Sequence, residues 1–401
     1  MNAPVVGPSL LDVRLSHELE RLRAADLYRQ RRVIDGSHGV RLSVGGKACI
    51  SFCSNDYLGL ASDPRVAEAG RAALSRVGTG SGAAALISGY NAEHAKLEEE
   101  LADYCGRERV LLFSSGWAAN LGLLRALFSK DDTLICDELN HASLIDGARL
   151  SGARYVRAPH GDVAAIDAAL IEAVERGGEI GIVSDSIFSM DGDEAEVPTL
   201  ARLAKRSGAT LIVDDAHGFG VQPAPGIRYP GADAPEVYVA TLGKSLGASG
   251  AFVAGSEALI EFLIQRARTW VFSTAPPPAI AAAARAALAI IRSEPEHQAQ
   301  LARNIARFRA GIAALGDGLP FQLMASTTPI QPLIVGDAGR AMALSRALFE
   351  HGYWVAAIRP PTVPAGTSRL RVTLSAAHTE AQIDGLIEAI GSCRLPPGSS
   401  R

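Results

Sequence analysis

Short runs of apolar residues alternate with segments of helical periodicity between Asn55 and Pro295. Several of the runs end in polar or acidic residues, and all have the length of buried strands: VLLF, TLIC, IGIVSDS, ATLIVDD, VYVATL and AFVAG. This alternation predicts an α/β domain with a mostly parallel sheet. Because ligands bind at the carboxyl ends of the strands in such sheets, the polar residues that follow the runs are candidate site residues.

The pattern changes on both sides of this region. Leu15 to Arg32 predicts an amphipathic, arginine-rich helix, and VRLSVGGKACISF predicts a hairpin that turns at its paired glycines. Towards the C-terminus, a long helical segment precedes IQPLIVG, YWVAAIR and LRVTLSA, which are typical of a small α+β domain. We therefore expect an N-terminal arm, a large α/β domain, and a small C-terminal domain with a disordered tail: residues 1–54, 55–295 and 296–401, with 394–401 as the tail.

Composition narrows the class of protein. With 401 residues, 48% of them hydrophobic, the chain can bury a large core. A net charge of −4 without a lysine or arginine block argues against nucleic acid or membrane partners. The first residues lack a secretory pattern, and the longest apolar helical run, Ala279 to Ile291, is too short to span a bilayer. The five cysteines are scattered without C-x-x-C spacing, which favours reduced thiols in a cytoplasmic protein over disulfides or zinc.

The tripeptide Gly243-Lys244-Ser245 is how a nucleotide-binding phosphate loop ends. The complete motif requires a glycine five residues before Gly243, and that position is Tyr238. The acidic strand end LIVDD also precedes the lysine, whereas in a simple ATPase it would follow the loop. The sequence therefore argues against an ATPase and leaves Lys244 to be explained.

Asp214 and Asp215 close a strand that we expect to be buried. A buried carboxylate costs several kcal/mol unless a cation or hydrogen-bond donors compensate it, so at least one of the two needs a positive partner, while the other could cap the next helix. Lys244 follows about one helix and one strand later, so it can reach the same sheet edge. Pyridoxal 5′-phosphate (PLP) accounts for both residue types, because its aldehyde forms an imine with a lysine and its ring nitrogen stays protonated beside a carboxylate.

Four further residues fit the same cofactor. Gly116 and Trp117 open a helix directly after VLLF, where backbone N–H groups can hold a phosphate, although a helix start without a ligand is the common alternative. His141 follows TLIC and could stack on the pyridine ring. His217 could reach the phenolic oxygen of the ring or a substrate carboxylate, and its alternative is a histidine satisfied within a turn.

Motifs in one consistent order from about Arg23 to His378 resemble those of the α-oxoamine synthases. They are SNDYLGL, GTGSG, SGYNAEHAKLEEELA, SSGWAAN, NHASLIDG, FSMDGD, VDDAHGFG, TLGKSLGASGA and IRPPTVPAGTSRLRVTLSAAH. Members of this family are fold-type-I PLP enzymes that condense an amino acid with an acyl thioester and release CO2. The resemblance implies a large domain with a mostly parallel seven-stranded sheet, a small α+β domain, and a homodimer with shared active sites.

The resemblance also assigns roles to individual residues. It implies Lys244, Asp214, His141 and His217 as catalytic, with Lys244 bound to the cofactor and Asp214 at the ring nitrogen. The remaining cofactor contacts would come from Gly116, Trp117, Ser189 and Thr241, and from Ser273 and Thr274 of a second subunit. Asn55 and Arg359 would hold substrate carboxylates, and Arg29 and Thr362 would line the acyl-substrate site.

The segments Ala357 to Ala377 and IQPLIVGD favour a member that joins L-alanine to a pimeloyl thioester, carried by coenzyme A or an acyl carrier protein. Another synthase of the family, an aminotransferase or a non-catalytic subunit on the same scaffold are the alternatives. The chain departs from the family pattern at Cys53, Ala83 to Ala85, Phe219 and Phe272, none of which removes a group that the chemistry requires.

Overall fold

The computed structural model describes residues 9–316 and 319–393. The predicted disordered tail, residues 394–401, lies outside the described residues. Residues 1–8, which belong to the N-terminal segment without a secretory pattern, also lie outside them. Within the described ranges, no helix is both long and apolar enough to cross a membrane.

The N-terminal part contains one helix and three short strands: α1 (Leu10–Ala24), β1 (Ile34–Asp35), β2 (Arg41–Val44) and β3 (Lys47–Ser51). The predicted helix exists, but its predicted bounds of Leu15 to Arg32 are wrong. It begins earlier because Ser9 and Asp12 form a capping box, and it ends before Asp26, which has a φ of 54°. The predicted hairpin is present, and its turn uses positive φ values at both Gly45 and Gly46.

The central part alternates helices with the strands of one large sheet. The strands are β4 (Arg109–Phe113), β5 (Thr133–Asp137), β6 (Arg154–Ala158), β7 (Ile180–Asp185), β8 (Thr210–Asp214), β9 (Val237–Thr241) and β10 (Ala251–Gly255). The helices are α2 (Pro64–Val77), α3 (Ala92–Cys105), α4 (Gly116–Leu127), α5 (Ala142–Ser151), α6 (Val163–Arg176), α7 (Val197–Ser207), α8 (Pro225–Arg228), α9 (Glu257–Arg266), α10 (Arg268–Val271) and α11 (Pro278–Ser293).

The large sheet has seven strands in the order β4-β10-β9-β8-β7-β5-β6, which confirms the predicted mostly parallel seven-stranded sheet. Strands β5 to β9 pair in parallel, whereas β10 is antiparallel to both β4 and β9. The edge strand β6 was not among the predicted strands. Its sequence RYVRA exposes an arginine at each end of a half-buried stretch, so it lacks the apolar run of a central strand.

Alternate residues of the central strands pack on opposite faces of this sheet. Leu111, Ile212 and Val253 belong to one buried cluster with residues of α4, α5 and α9. Leu112, Val213 and Phe252 belong to a second cluster with residues of α3, α6, α7 and α11. Helices therefore cover both faces, and the carboxyl edge of the parallel strands is left for a ligand.

The C-terminal part contains α12 (Glu296–Ala314), β11 (Gln322–Leu323), β12 (Ile330–Gly336), α13 (Ala338–Glu350), β13 (Tyr353–Trp354), β14 (Ala356–Ile358), β15 (Ser368–Thr373) and α14 (Glu380–Ser392). Four of its strands form an antiparallel sheet in the order β11-β12-β15-β14. The fifth, β13, pairs in parallel with β3 of the hairpin. The N-terminal hairpin and the C-terminal part therefore share a sheet.

Candidate active site

Acidic side chains close the neighbouring strands β7 and β8 at the carboxyl edge of the large sheet. Asp185 and Asp214 are register partners at the ends of these strands. Both are at least 95% buried, with exposed fractions of 3% and 5%. Two carboxyl groups so close together cannot both be ionised cheaply. Burial and the charge of Asp214 raise the pKa of Asp185 well above its usual range.

The consecutive residues Asp214 and Asp215 have different environments. Asp215 accepts hydrogen bonds from the Tyr238 hydroxyl at 2.6 Å and the Ser186 hydroxyl, and it pairs with the Arg228 guanidinium at 3.1 Å. It therefore has the cationic partner that the sequence required for one of the two. Among the residues that the structure describes, the Asp214 carboxylate accepts only from the Asn120 amide at 2.7 Å and the backbone N–H of Ala216 at 3.0 Å. Within the described residues, Asp214 has no ion pair.

Lys244 lies in the turn that follows β9. Burial lowers the pKa of its amine to about 8, and the nearby charge of Asp214 opposes this shift. The amine forms no ion pair or hydrogen bond with the described residues. The turn packs closely against the chain at Ala61, because Gly247 has a φ of 60° and a Cβ there would lie 2.2 Å from the backbone nitrogen of Ala61. Burial therefore leaves Lys244 with an amine that loses its proton more easily than that of an ordinary lysine.

Helix α4 begins at the same edge with unpaired backbone donors. Ser115 caps the helix by accepting from Ala118 N–H at 3.1 Å. In the part of the chain that the structure describes, the N–H groups of Gly116 and Trp117 donate to no acceptor. No atom lies within 4 Å of the position that a Cβ on Gly116 would take, so the space above this helix start is open. Such a helix terminus suits a phosphate.

His141 joins this group through a short network. Its Nδ1 lies 2.7 Å from the Ser143 hydroxyl, which also accepts from the Asn120 amide at 2.9 Å. The backbone N–H of His141 donates to Asp185 at 2.7 Å, and its ring meets Trp117 edge-on at 6.0 Å. His141 also caps α5, and its ring is connected through Ser143 and Asn120 to Asp214.

A second group of polar residues lies within electrostatic reach of Lys244. The Tyr57 hydroxyl lies 2.6 Å from Nδ1 of His217 and donates to the side-chain oxygen Oδ1 of Asn55 at 3.2 Å. Burial, assisted by the charges of Lys244 and Arg371, lowers the pKa of His217 well below its usual range. His217 is therefore a neutral hydrogen-bonding group rather than a cation.

Arg371 is the residue of this group that sequence reasoning missed. It is 6% exposed, and its guanidinium donates to the Asn55 side chain at 3.1 Å and to the Ser189 carbonyl. Within the described residues it pairs with no carboxylate, although a buried cation without one is costly. The sequence did contain a sign of it, because Arg371 lies within the apolar strand LRVTL, where a charged residue is unusual.

The other predicted substrate residues lie together but apart from this group. Arg29 donates to the Thr362 hydroxyl at 3.3 Å, and Arg359 donates to the Asp26 carbonyl. The side chains of Arg29, Arg359 and Thr362 line a cavity of about 90 Å³. The structure thus places Arg359 beside Arg29 and Thr362, and it brings Arg371 rather than Arg359 together with Asn55.

The remaining predicted cofactor residues are Thr241, Ser273 and Thr274. The Thr241 hydroxyl donates to Gly250 carbonyl at 2.9 Å at the end of β9, close to the Lys244 turn. Ser273 donates to the Thr269 carbonyl at 2.7 Å, and Thr274 forms an isolated bridge with Ala84. The contact of Thr241 with the phosphate of its own subunit, and of Ser273 and Thr274 with the phosphate of a second subunit, stays a prediction.

The groups at this edge match the chemistry of PLP. The site offers unpaired N–H donors for a phosphate, an acid without a cation for a pyridinium, and an unpaired amine for an aldehyde. The side-chain oxygen of Asn120 is buried and accepts no hydrogen bond from any described residue, so an acceptor remains free at this site. This fold and this set of groups define a PLP-dependent enzyme.

Comparison with known proteins agrees. The chain belongs to the class I and II aminotransferase family, whose model matches residues 47–390. It is 53% identical to the 8-amino-7-oxononanoate synthase of Methylococcus capsulatus over 377 residues, which cover 93% of this chain and 96% of the relative.

Solved structures give the same result. The fold matches serine palmitoyltransferase from S. paucimobilis with a TM-score of 0.87 at 27% identity, covering 96% of this chain and 98% of that chain, and that structure contains a PLP-myriocin aldimine. It matches the 8-amino-7-oxononanoate synthase of Francisella tularensis with a TM-score of 0.72 at 31% identity, covering 86% and 97%. The resemblance to the α-oxoamine synthases, the PLP cofactor and the fold class are thereby confirmed.

Proposed function

We propose that the chain catalyses the condensation of L-alanine with a pimeloyl thioester, with release of CO2, to give 8-amino-7-oxononanoate in biotin biosynthesis. We further propose that it does so in the cytoplasm as a homodimer with shared active sites. The observation that carries the proposal is the unpaired amine of Lys244, which lies within electrostatic reach of both Asp214 and Arg371. The names of the relatives described above support the choice of substrates.

The cofactor would be held by the groups at the sheet edge. Lys244 would bind the aldehyde, Asp214 the ring nitrogen, and Gly116, Trp117 and Thr241 the phosphate. His141 would lie on the ring face, and Ser189 and His217 near the phenolic oxygen. When bound there, PLP supplies an electron sink for the electron pair left on the alanine Cα when its proton is removed.

Arg371 is our candidate for the alanine carboxylate. A guanidinium binds a carboxylate through two charge-assisted hydrogen bonds, and this one lacks an acidic partner. Asn55 accepts one hydrogen bond from Arg371. Asn55 would therefore orient Arg371 rather than hold the carboxylate itself, and the carboxylate-binding role expected for Arg359 would pass to Arg371. Arg359, Arg29 and Thr362 would then line the path of the acyl thioester.

Lys244 is our candidate for the proton transfers at the alanine Cα. An amine with a pKa of about 8 is available in its neutral form near neutral pH, as a general base requires. His217, neutral and fixed by Tyr57, would keep its hydrogen-bonding capacity without adding a positive charge beside the amine.

Substrate comparison tests the proposal. The purified protein, loaded with PLP, is assayed with L-alanine, glycine and L-serine in combination with pimeloyl and acetyl thioesters, and the products are identified by mass spectrometry. We expect the highest kcat/KM for L-alanine with a pimeloyl thioester and the release of one CO2 per product. A higher kcat/KM for glycine with an acetyl thioester would instead favour a sister synthase.

A further inference from the structure

The loop of residues 56–61 is closed by one of its own side chains. The Asp56 carboxylate accepts the backbone N–H of Leu60 at 2.9 Å with one oxygen and that of Ala61 at 3.2 Å with the other. The backbone N–H of Asp56 itself donates to the Ser54 hydroxyl at 3.1 Å. Both carboxylate oxygens are therefore used to hold the backbone of this segment, which we call the Asp56 loop.

The Asp56 carboxylate acts without a cation. It forms no ion pair with the residues that the structure describes, whereas Asp63, two residues beyond the loop, pairs with Arg65 at 2.8 Å. Burial raises the pKa of Asp56 to about 6, and the hydrogen bonds from the backbone oppose this shift. The carboxylate is therefore ionised at neutral pH, where its hydrogen bonds to the backbone N–H groups are charge-assisted.

The turn that carries Lys244 packs against the Asp56 loop. Within the turn, the backbone N–H of Gly247 donates to the Lys244 carbonyl at 2.9 Å. A Cβ on Gly247 would lie 2.2 Å from the backbone nitrogen of Ala61, and this is the same nitrogen that donates to Asp56. No side chain fits between the two segments, so the position of the Ala61 peptide limits the position of the turn.

The Asp56 loop also carries a residue of the polar group around His217. Tyr57 follows Asp56 in the chain and is fully buried, and its hydroxyl lies 2.6 Å from Nδ1 of His217. The Tyr57 carbonyl accepts the backbone N–H of Ala376 at 2.8 Å, three residues after the end of β15, the strand of Arg371. The loop thus contacts the Lys244 turn and the segment that follows β15.

We propose that Asp56 is a positioning residue of the candidate site: its carboxylate fixes the Asp56 loop, and the loop fixes the Lys244 amine relative to Tyr57 and His217. This inference rests on the proposed function, in which Lys244 binds the cofactor aldehyde. It goes beyond that function because it assigns a role to a side chain that would touch neither cofactor nor substrate. Without the carboxylate, the Ala61 peptide and the turn can shift, and water reaches the amine more easily.

Asp56→Asn tests this role with little change of shape. The amide has only one oxygen, so its NH2 group must face the backbone N–H of either Leu60 or Ala61, and one hydrogen bond is replaced by two opposed donors. The matched control is Asp63→Asn, since Asp63 also accepts a nearby backbone N–H, that of Arg65 at 2.8 Å, but caps α2. Circular dichroism checks folding. If Asp56→Asn does not fold, Asp56→Ala replaces it, because alanine removes the acceptors without adding a donor.

The first readout is the pKa of the Lys244 amine in the apoprotein. Competitive labelling with acetic anhydride at a series of pH values, followed by mass spectrometry of the Lys244 peptide, gives the midpoint. We expect about pH 8 for the native chain and for Asp63→Asn, and a midpoint about one unit higher for Asp56→Asn because the amine is less buried. The charged groups nearest the amine stay unchanged in both variants: Asp214, Asp185, Asp215 and Arg371. A midpoint that does not rise in Asp56→Asn, or that rises equally in Asp63→Asn, would overturn the inference.

The route through Ala61 is tested by a double variant. In Gly247→Ala the added Cβ has to push the turn away from Ala61, so this variant should also raise the midpoint. If Asp56 acts through the same contact, Asp56→Asn combined with Gly247→Ala should shift the midpoint by less than the sum of the two single shifts. Fully additive shifts would contradict the proposed route.

The loaded enzyme separates this inference from the proposed function. With L-alanine and a pimeloyl thioester, we expect Asp56→Asn to lower kcat about tenfold and to change KM for the thioester less than about threefold, because the amine is misplaced while the acyl site is intact. If the native enzyme does not turn over these substrates, the proposed function fails, but a raised midpoint in the Asp56→Asn apoprotein still supports the role of Asp56. A native kcat in Asp56→Asn, in an enzyme that does use these substrates, contradicts that role.

Discussion

Two charged clusters occupy the same edge of the large sheet, and they differ in how their charges are matched. In the saturated cluster, Asp215 is surrounded by Arg228, Tyr238 and Ser186, and Arg228 also binds Glu194 at 2.7 Å. In the open cluster, Asp214, Lys244 and Arg371 form no ion pair with any described residue. The first cluster uses its charges to hold the fold together, whereas the second keeps them free.

The difference shows how a buried charge marks a binding site. Removing a charged group from water costs several kcal/mol, and partners within the chain normally offset that cost. We propose that in the open cluster the offset is left to a ligand, with each unmatched group binding one part of PLP or of the amino-acid substrate. On this proposal two adjacent residues of one sequence motif, Asp214 and Asp215, serve function and stability separately.

Asp214→Asn should produce the largest effect. The variant keeps the hydrogen bonding from Asn120 but loses the charge that holds the ring nitrogen protonated, so we expect kcat/KM to fall about 10³-fold while PLP is still bound. Steady-state assays measure kcat/KM, and an absorbance scan of the loaded variant measures the bound PLP. Activity within about tenfold of the native enzyme would show that the Asp214 charge is not needed.

Arg371→Gln should raise KM for L-alanine about 100-fold, because a charge-assisted contact to the carboxylate is lost. Arg369 offers the comparison, since it lies two residues earlier on β15, is equally buried, and is paired with Asp191. Arg369→Gln should lower Tm more than it changes KM. If Arg359→Gln rather than Arg371→Gln weakened alanine binding, the alanine carboxylate would have to be moved to the Arg29 cavity.

Asp215→Asn should act on stability. It leaves Arg228 buried with a weakened partner, so we expect the free energy of unfolding to fall by about 3 kcal/mol in urea titrations. Asp214→Asn, next to it, should cost less than about 1 kcal/mol because no ion pair is broken. Equal losses in both variants would contradict the division into a saturated and an open cluster.

The pKa of Lys244 predicts a pH dependence of cofactor loading. The neutral amine is the form that attacks an aldehyde, and burial lowers the pKa from 10.5 to about 8. The rate at which the apoprotein takes up PLP should therefore rise about tenfold per pH unit below pH 8 and level off above it. Stopped-flow absorbance measures this rate. A rise that continues to pH 10 would indicate an unperturbed lysine.

The same lowered pKa affects the stability of the apoprotein. Between about pH 8 and the ordinary lysine pKa, the unfolded chain binds the proton of Lys244 and the folded chain does not, so this residue makes stability rise with pH in that window. Below pH 8 both states are protonated and the cost of burying the charge is fully present. Lys244→Met should accordingly raise the Tm of the apoprotein at neutral pH.

The sequence predicted the sheet and the centre of the site because both depend on local patterns. The buried strands are continuous apolar runs, and Asp214, His217 and Lys244 directly follow two of them. The strand β6 was not predicted, because an edge strand exposes charged residues and so lacks a continuous apolar run. The antiparallel direction of β10 was not predicted, because an apolar run does not indicate in which direction a strand pairs.

Arg371 was not predicted for another reason. The contact between Arg371 and Asn55 joins residues 316 positions apart. A local sequence pattern cannot show such a contact. The tertiary fold shows that this guanidinium lies beside Asn55 and forms an ion pair with no carboxylate among the described residues.

The most direct test of the open cluster is to find which residue binds the cofactor. The loaded protein is reduced with borohydride, digested, and its peptides are identified by mass spectrometry, with Lys244→Ala as the control. We predict the reduced cofactor on Lys244 alone, and no visible absorbance band or turnover in the variant. Modification of Lys47, Lys96, Lys130 or Lys205 instead, or a coloured and active Lys244→Ala protein, would contradict the account.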